Sequence, residues 1–424
     1  MTRPCLCLAI VGLMMAGSVV RADDDWFGQT VMLKETAVPK IGDRRLKWND
    51  VPIPVMVERV DGDWLWLHVA WVKKDDVVTL DDAPAYFTKL IQRGTDNVAG
   101  YLLRGVSWLE RREYDNAIKD LSETIRLEPA SNLYCLRGKA YFGKRQFEKA
   151  MVDFNEAVRI DPSNLVALND RGCAWDAQEE FGKSIKQFGE ILRIDPSNAL
   201  AYANRAATWF DLEEFEKSLE DVNQAIKLDP KLAFAYSNRG RWYMKHGDYP
   251  KALDDFKKSI ELAPRSWAPY NGIAAAYATA PAFEAHIRDG KKALEMAQKA
   301  CELSQWDEWM PVASLAAAYA ELGNFEAAVK WQTKALAMSQ PAKDRVQRNN
   351  VKRLECYKAG EAFYDDVTVL KDDMPTTDPA DAKGDAGETA DSGKKGDAAE
   401  EVGGNDKGDE NKKGDDTAAP ESAR

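Results

Sequence analysis

Residues 134–164 read YCLRGKAYFGKRQFEKAMVDFNEAVRIDPSN, and residues 236–266 answer with YSNRGRWYMKHGDYPKALDDFKKSIELAPRS. Units of the same pattern lie before and between them. Four columns carry it. Gly105, Gly138, Gly172, Ala206 and Gly240 form a column of small residues, and Trp108, Tyr141, Trp175, Trp209 and Tyr243 an aromatic one. Ala117, Ala150, Ser184, Ser218 and Ala252 form a second small column, and Pro129, Pro162, Pro196, Pro230 and Pro264 close each unit. Every column steps by 33, then 34, 34 and 34 residues. A period of this size signals stacked supersecondary units, not one globular core.

Each unit reads as two antiparallel helices. The small columns let the helices approach closely. The aromatic column, with Phe154, Phe188 and Phe256, fills the space between neighbours. Proline cannot continue the second helix, so the chain turns into the next unit. One unit cannot bury its apolar face alone; stacking does so. On these columns the chain resembles the tetratricopeptide repeat family. The resemblance implies a mainly α fold, an α-solenoid of about seven helix-turn-helix repeats over residues 98–342. A half repeat (81–97) precedes them, its helix starting at an Asp cap in DDAPAYFTKLIQR. The sixth unit keeps Tyr270, Ala274 and Tyr277, but Ala293 arrives seven residues late, so ATAPAFEAHIRDG is inserted between its helices. The seventh keeps Ala316, Tyr319, Ala328 and Ala335, with its proline displaced to Pro341. The charged run KDRVQRNNVKRLECYK opens segment 343–370 as a capping helix for the last open face.

Ahead of the array, residues 23–80 read as five short strands with a long loop from Pro39 to Pro54 and a hairpin turning at Asp61-Gly62. Closing so small a sheet removes exposed edges, so a small β-barrel is expected. The run DGDWLWLHVAWVKKDDVV resembles the end of bacterial Src homology 3-like domains, with Ala70 where that family has glycine. The resemblance implies either binding of peptide or cell-wall material or packing against a neighbouring domain. Trp64, Trp66 and His68 share one strand face, and Leu65, Leu67 and Val69 the other. Either the tryptophans, with Trp48, make an aromatic shelf, or they fill the core; alternation alone leaves both open. Residues 1–22 read as a signal peptide: Arg3, an apolar run from Leu6 to Val20, and a cut after Ala22. Export to the periplasm or medium follows, with an uncleaved anchor as the alternative. Residues 371–424 hold 16 acidic against 8 basic side chains and no aromatic, and read as a disordered acidic tail.

The 424 residues carry a net charge of −12, which disfavours nucleic acid as a partner. His68, His246 and His286 fall in separate units, and no phosphate-cradling or nucleophile-elbow string occurs. No catalytic, metal or cofactor site and no small-molecule substrate is therefore expected. Cys135, Cys173, Cys301 and Cys356 show no C-x-x-C spacing and are expected as free thiols, with Cys135 and Cys173 the one pair on adjacent units. In the resembled family the first helices line a concave groove for peptides or partner helices. Carried over by column, that groove shows Lys139, Asn169, Asp176, Asn204, Phe210, Asn238, Arg241, Met244, Lys245 and Asn271. The asparagines suit an extended backbone, Lys139, Arg241 and Lys245 a carboxylate, and Phe210 and Met244 apolar anchors. The expected function is a non-catalytic interaction scaffold for a protein or peptide outside the cytoplasm. The second expectation is an envelope adaptor that contacts the cell wall through the barrel, with the solenoid as spacer.

Overall fold

A computed structural model describes residues 26, 28–41, 44–47, 53–94, 97–339 and 344–364. The 1–22 segment, the 371–424 tail, Trp48 and Pro341 lie outside them. The bridging helix is α1 (Ala83–Gln92). Seven helix pairs follow: α2 (Val98–Glu110) and α3 (Tyr114–Leu127); α4 (Ser131–Gly143) and α5 (Phe147–Ile160); α6 (Leu165–Ala177) and α7 (Phe181–Ile194); α8 (Ala199–Asp211) and α9 (Phe215–Leu228); α10 (Ala233–Lys245) and α11 (Tyr249–Leu262); α12 (Trp267–Thr279) and α13 (Gly290–Leu303); α14 (Trp309–Glu321) and α15 (Phe325–Met338). The last described helix is α16 (Asp344–Lys358). The insertion in the sixth pair contains a short 3₁₀ turn, Ala282–Ile287.

The small column has a visible cause. A Cβ on Gly138 would stand 2.5 Å from the Phe154 ring, and one on Gly240 2.7 Å from Phe256, so the phenylalanine sixteen positions on occupies that space. Helix starts are built locally. Asn164 Oδ1 accepts from the backbone N–H of Val166 and Ala167, and Asn198 Oδ1 from that of Ala201. The tight turn inside each regular pair needs one residue in the left-handed region: Arg112, Arg145, Glu179, Glu213, Gly247 and Gly323 all have positive φ. The expected Asp cap of α1 is not made. Asp82 is the cap residue, but its carboxylate accepts from Thr79 Oγ1 (2.9 Å) and leaves the helix N–H groups alone.

Among the described residues the β region has more strands than the five expected. Eight short strands form two sheets: β1 (Thr30–Leu33), β2 (Lys40–Ile41), β3 (Arg44–Arg45), β4 (Val55–Met56), β5 (Arg59–Asp61), β6 (Trp64–Trp66), β7 (Trp71–Lys73) and β8 (Val77–Thr79). One sheet runs β4-β1-β8 and the other β3-β2-β7-β6-β5, with no continuous ladder between them among the described residues. The run read as one strand, Val55–Val60, crosses from the first sheet to the second, and the expected loop contributes β2 and β3. Their inner faces merge with the first helices: Leu33, Leu65 and Val72 share one core with Phe87, Leu103 and Leu121. The β region thus covers the open end of the first pair. At the other end, α16 sets Tyr357 (1% exposed) against Ala316, Ala320 and Ala328. There Gln332 Nε2 also donates to Asn350 O and Oδ1, both at 3.1 Å.

The array comes back toward itself. Arg112, in the turn of the first pair, donates to Ser304 O (3.2 Å) and pairs with Asp307 (3.4 Å), in the connection after α13. Arg265, before α12, donates to Gly28 O (2.6 Å) in the β region. The concave face is therefore the inside of one turn of the array.

Candidate functional site

The first helices α4, α6, α8 and α10 bring the proposed groove residues into two groups. In the first, Lys139 Nζ lies 3.2 Å from Asp170 Oδ2, and Asn204 Nδ2 donates to Asn169 Oδ1 (2.7 Å). In the second, Arg241 Nη2 donates to Asp211 Oδ1 (3.2 Å), while its guanidinium sits 4.7 Å above the Phe210 ring. Phe210 in turn packs edge-on against Phe215 at 5.5 Å. Asp176 belongs with this group through Thr208, Asp211 and Arg241. Met244 is half-buried, Lys245 is exposed, and Asn271 keeps a buried Oδ1 with no hydrogen-bond partner.

Three readings change. Asn238 is buried and its Nδ2 donates to Ala203 O (3.1 Å), so it braces two neighbouring helices and does not face a ligand. Lys139 and Arg241 each already hold an internal carboxylate, so neither waits as an unpaired cation. Asp170 and Asp211, which supply those carboxylates, were missed although each directly follows a named position, Asn169 or Phe210. Leu200 (44% exposed) and Phe234 (40%) were missed too; they stand one period apart at the starts of α8 and α10, ten residues before Phe210 and seven before Arg241.

A further charged column joins the helices of each of the first five pairs. Arg104, Arg137, Arg205 and Arg239 make two-pronged ion pairs with Asp120, Asp153, Asp221 and Asp255, always sixteen residues on. In the third pair Arg171 meets Gln187 instead, at 2.9 and 2.6 Å. This column steps with the others and was legible in the sequence. Each of these ion pairs ties a first helix to the second helix of its own pair.

Burial dominates the electrostatics of this face. It pushes the Asp176 carboxyl up to about 6, partly opposed by the Thr208 hydrogen bond, and its Oδ1 has no hydrogen-bond partner. Asp170 and Glu110 are raised for the same reason, with Lys139 acting against the rise. The Cys135 and Cys173 thiols are free and burial pushes both up to about 12, which keeps them protonated at neutral pH. A raised carboxylate pKa means that the folded chain keeps a proton which the unfolded chain has released. Between about pH 4 and 6, then, stability from Asp176 falls as pH rises. Asp176→Asn is expected to raise stability at neutral pH by roughly 2 kcal/mol and to change it little near pH 4. Thermal unfolding of both proteins at the two pH values measures this.

On the β region, Leu65 and Leu67 are fully buried, and Trp64 and Trp66 are half-buried on the outward face, outside the core the leucines fill. Lys40 and Lys73 lie over the Trp64 ring (4.9 and 5.8 Å), and Trp66 packs on Trp71 at 5.4 Å. His68 leaves the strand, with φ of 62°, and its Nδ1 lies 3.0 Å from Glu58 Oε1, so it does not continue the tryptophan row. Among the described residues no group of three or more His, Cys, Asp or Glu is placed to hold a metal ion. None of their helices is long and apolar enough to cross a membrane.

The tetratricopeptide repeat family models match residues 131–164, 233–266 and 313–340. No curated protein matches the chain. Among solved structures, the chain is similar to the APC/C hetero-tetramer Cut9-Hcn1, with 16% identity and a TM-score of 0.49 over 65% of this chain and 52% of that one. The chain thus spans about half the length of that structure. It is similar to a tetratricopeptide repeat protein from Parabacteroides merdae, with 17% identity and a TM-score of 0.44 over 62% of this chain and 100% of that one. It is also similar to YrrB, described as a TPR protein with an unusual peptide-binding site, with 20% identity and a TM-score of 0.31 over 42% and 92%.

Proposed function

We propose that this tetratricopeptide repeat protein is a non-catalytic scaffold that holds an extended segment of a partner protein along the concave face of its third to fifth helix pairs. One observation carries the reading. Phe210 lies under Arg241, Asp211 and Asp176 stand beside it, and Leu200 and Phe234 are exposed on the same helices. Apolar anchors next to oriented charges on a continuous concave surface suit a peptide better than a small molecule. Lys245 remains the cation that a partner carboxylate would meet, and Met244 a pliable apolar contact. The test is capture of partners from the native host by the whole protein and by an Arg241→Glu, Asn204→Ala variant with unchanged circular dichroism. The scaffold reading expects the main partner to be lost from the variant. Identical partner sets would remove the groove assignment.

The place of action belongs to the same proposal: export, with the mature chain beginning at Asp23. Mass measurement of the native protein checks it, and a chain that keeps Met1 contradicts cleavage. The wall-adaptor reading draws on the outward tryptophans, but Lys40 and Lys73 lie over Trp64, and Trp66 packs on Trp71. Failure of purified cell wall to sediment the protein would close that reading.

A further inference from the structure

The outward face of the five-stranded sheet takes no part in the groove, and its composition runs against the rest of the chain. Register defines the face. Arg59 and Asp61 of β5 lie opposite Trp66 and Trp64 of β6, which lie opposite Trp71 and Lys73 of β7. Lys40 of β2 lies opposite Trp71 and also opposite Arg45 of β3. Directly paired residues project to the same side of a sheet. The opposite side holds Val60, Leu65 and Val72 and joins the core. One face therefore carries Lys40, Arg45, Arg59 and Lys73 against a single acid, Asp61, on a chain whose net charge is −12. Arg45, Arg59 and Lys73 are exposed, and none of the four cations forms an ion pair among the described residues.

We propose that this face docks an acidic, extended segment of a partner protein. Its charge is complementary to carboxylates and repels a basic segment. Its layout fits an extended ligand laid across the strands: Arg45, Lys40, Trp71, Trp66 and Arg59 form one row across the sheet, with neighbouring strands about 4.8 Å apart. The tryptophans serve the cations. Lys40 and Lys73 both lie over the Trp64 ring, which limits the freedom those side chains lose when they meet an anion. Trp66 and Trp71 pack on each other at 53°, so they do not form a flat pair of parallel rings.

The probe is a fluorescein-labelled peptide of alternating glutamate and serine, titrated with the whole protein and followed by anisotropy, beside the same peptide with glutamine for glutamate. The glutamate peptide is expected to bind, more weakly as salt rises, and the glutamine peptide at least about tenfold less well. Lys40→Glu with Lys73→Glu is expected to weaken binding by at least about tenfold. The same charge change at Lys217 and Lys251, exposed on α9 and α11, is expected to leave it unchanged. If the reversal disturbs folding, Arg59→Gln with Lys73→Gln reads the same effect at smaller size. Equal binding of the two peptides overturns the proposal, as does equal loss in the β-region and array variants. Tighter binding of single-stranded oligothymidylate or of an anionic wall polysaccharide overturns the assignment to a protein segment. None of these outcomes involves the concave face, so this inference stands or falls apart from the groove.

Discussion

Phe256→Ala is expected to cost the array about 3–5 kcal/mol, the largest effect of any single truncation considered for it. The Phe256 side chain is fully buried. Its ring lies close to two glycines: a Cβ on Gly240, in its own pair, would stand 2.7 Å from it, and one on Gly272, in the next pair, 2.4 Å. Truncation leaves a cavity shared by the fifth and sixth pairs, whose backbones cannot both move in to fill it. Because each unit of an array contacts chiefly its neighbours, the loss falls on one interface. Urea unfolding followed by tryptophan fluorescence should then split into two transitions where the parent shows more concerted loss. The reciprocal change, Gly272→Ala, overpacks the same ring and should cost about 1–3 kcal/mol. A single transition with unchanged midpoint for Phe256→Ala would mean that this contact does not couple the two pairs.

Arg239→Ala is expected to cost about 3 kcal/mol for a different reason. Arg239 donates through Nε and Nη2 to the two oxygens of Asp255, at 2.7 and 2.9 Å, and through Nη1 to Asn223 Oδ1 at 3.1 Å. The two side chains are only 10% and 9% exposed. Removing the arginine strands a buried carboxylate; removing both partners does not. The pair Arg239→Met, Asp255→Leu should therefore cost much less than the sum of the single changes, and a double-mutant cycle from denaturant melts reads the difference. Strict additivity would contradict a coupled buried pair. In the third pair a neutral acceptor takes the place of the acid: Arg171 Nε and Nη2 both donate to the one Gln187 Oε1, and burial lowers the arginine pKa, with Glu190 acting against the fall.

The array was legible because its signal is repeated. A Gly-to-Phe contact that recurs with one period, as at Gly138 with Phe154 and Gly240 with Phe256, leaves paired columns in the chain. The insertion before Gly290 was equally visible as a break in the step. The arginine–aspartate column was just as periodic, yet charged residues at surface-like positions read as solvated until the fold shows them clamped between helices. The β region was harder. Its strands are two to four residues long, and no short alternation announces that the chain changes sheets between Met56 and Arg59. At the groove, columns named the right helices but not the state of each side chain. Asn238 and Asn204 occupy equivalent positions, and only packing decides that one braces the backbone while the other pairs with Asn169.

The central claim is that the partner lies on the concave face. The most direct measurement places a photo-crosslinking phenylalanine at position 210 and, in a second protein, at position 152 on α5, where Val152 is 68% exposed. Both are expressed in the native host and irradiated, and the crosslinked partner is identified. One main partner is expected to be joined through position 210, lost when Arg241→Glu is added, and absent from position 152. The same partner joined through position 152, with position 210 silent, would contradict the claim.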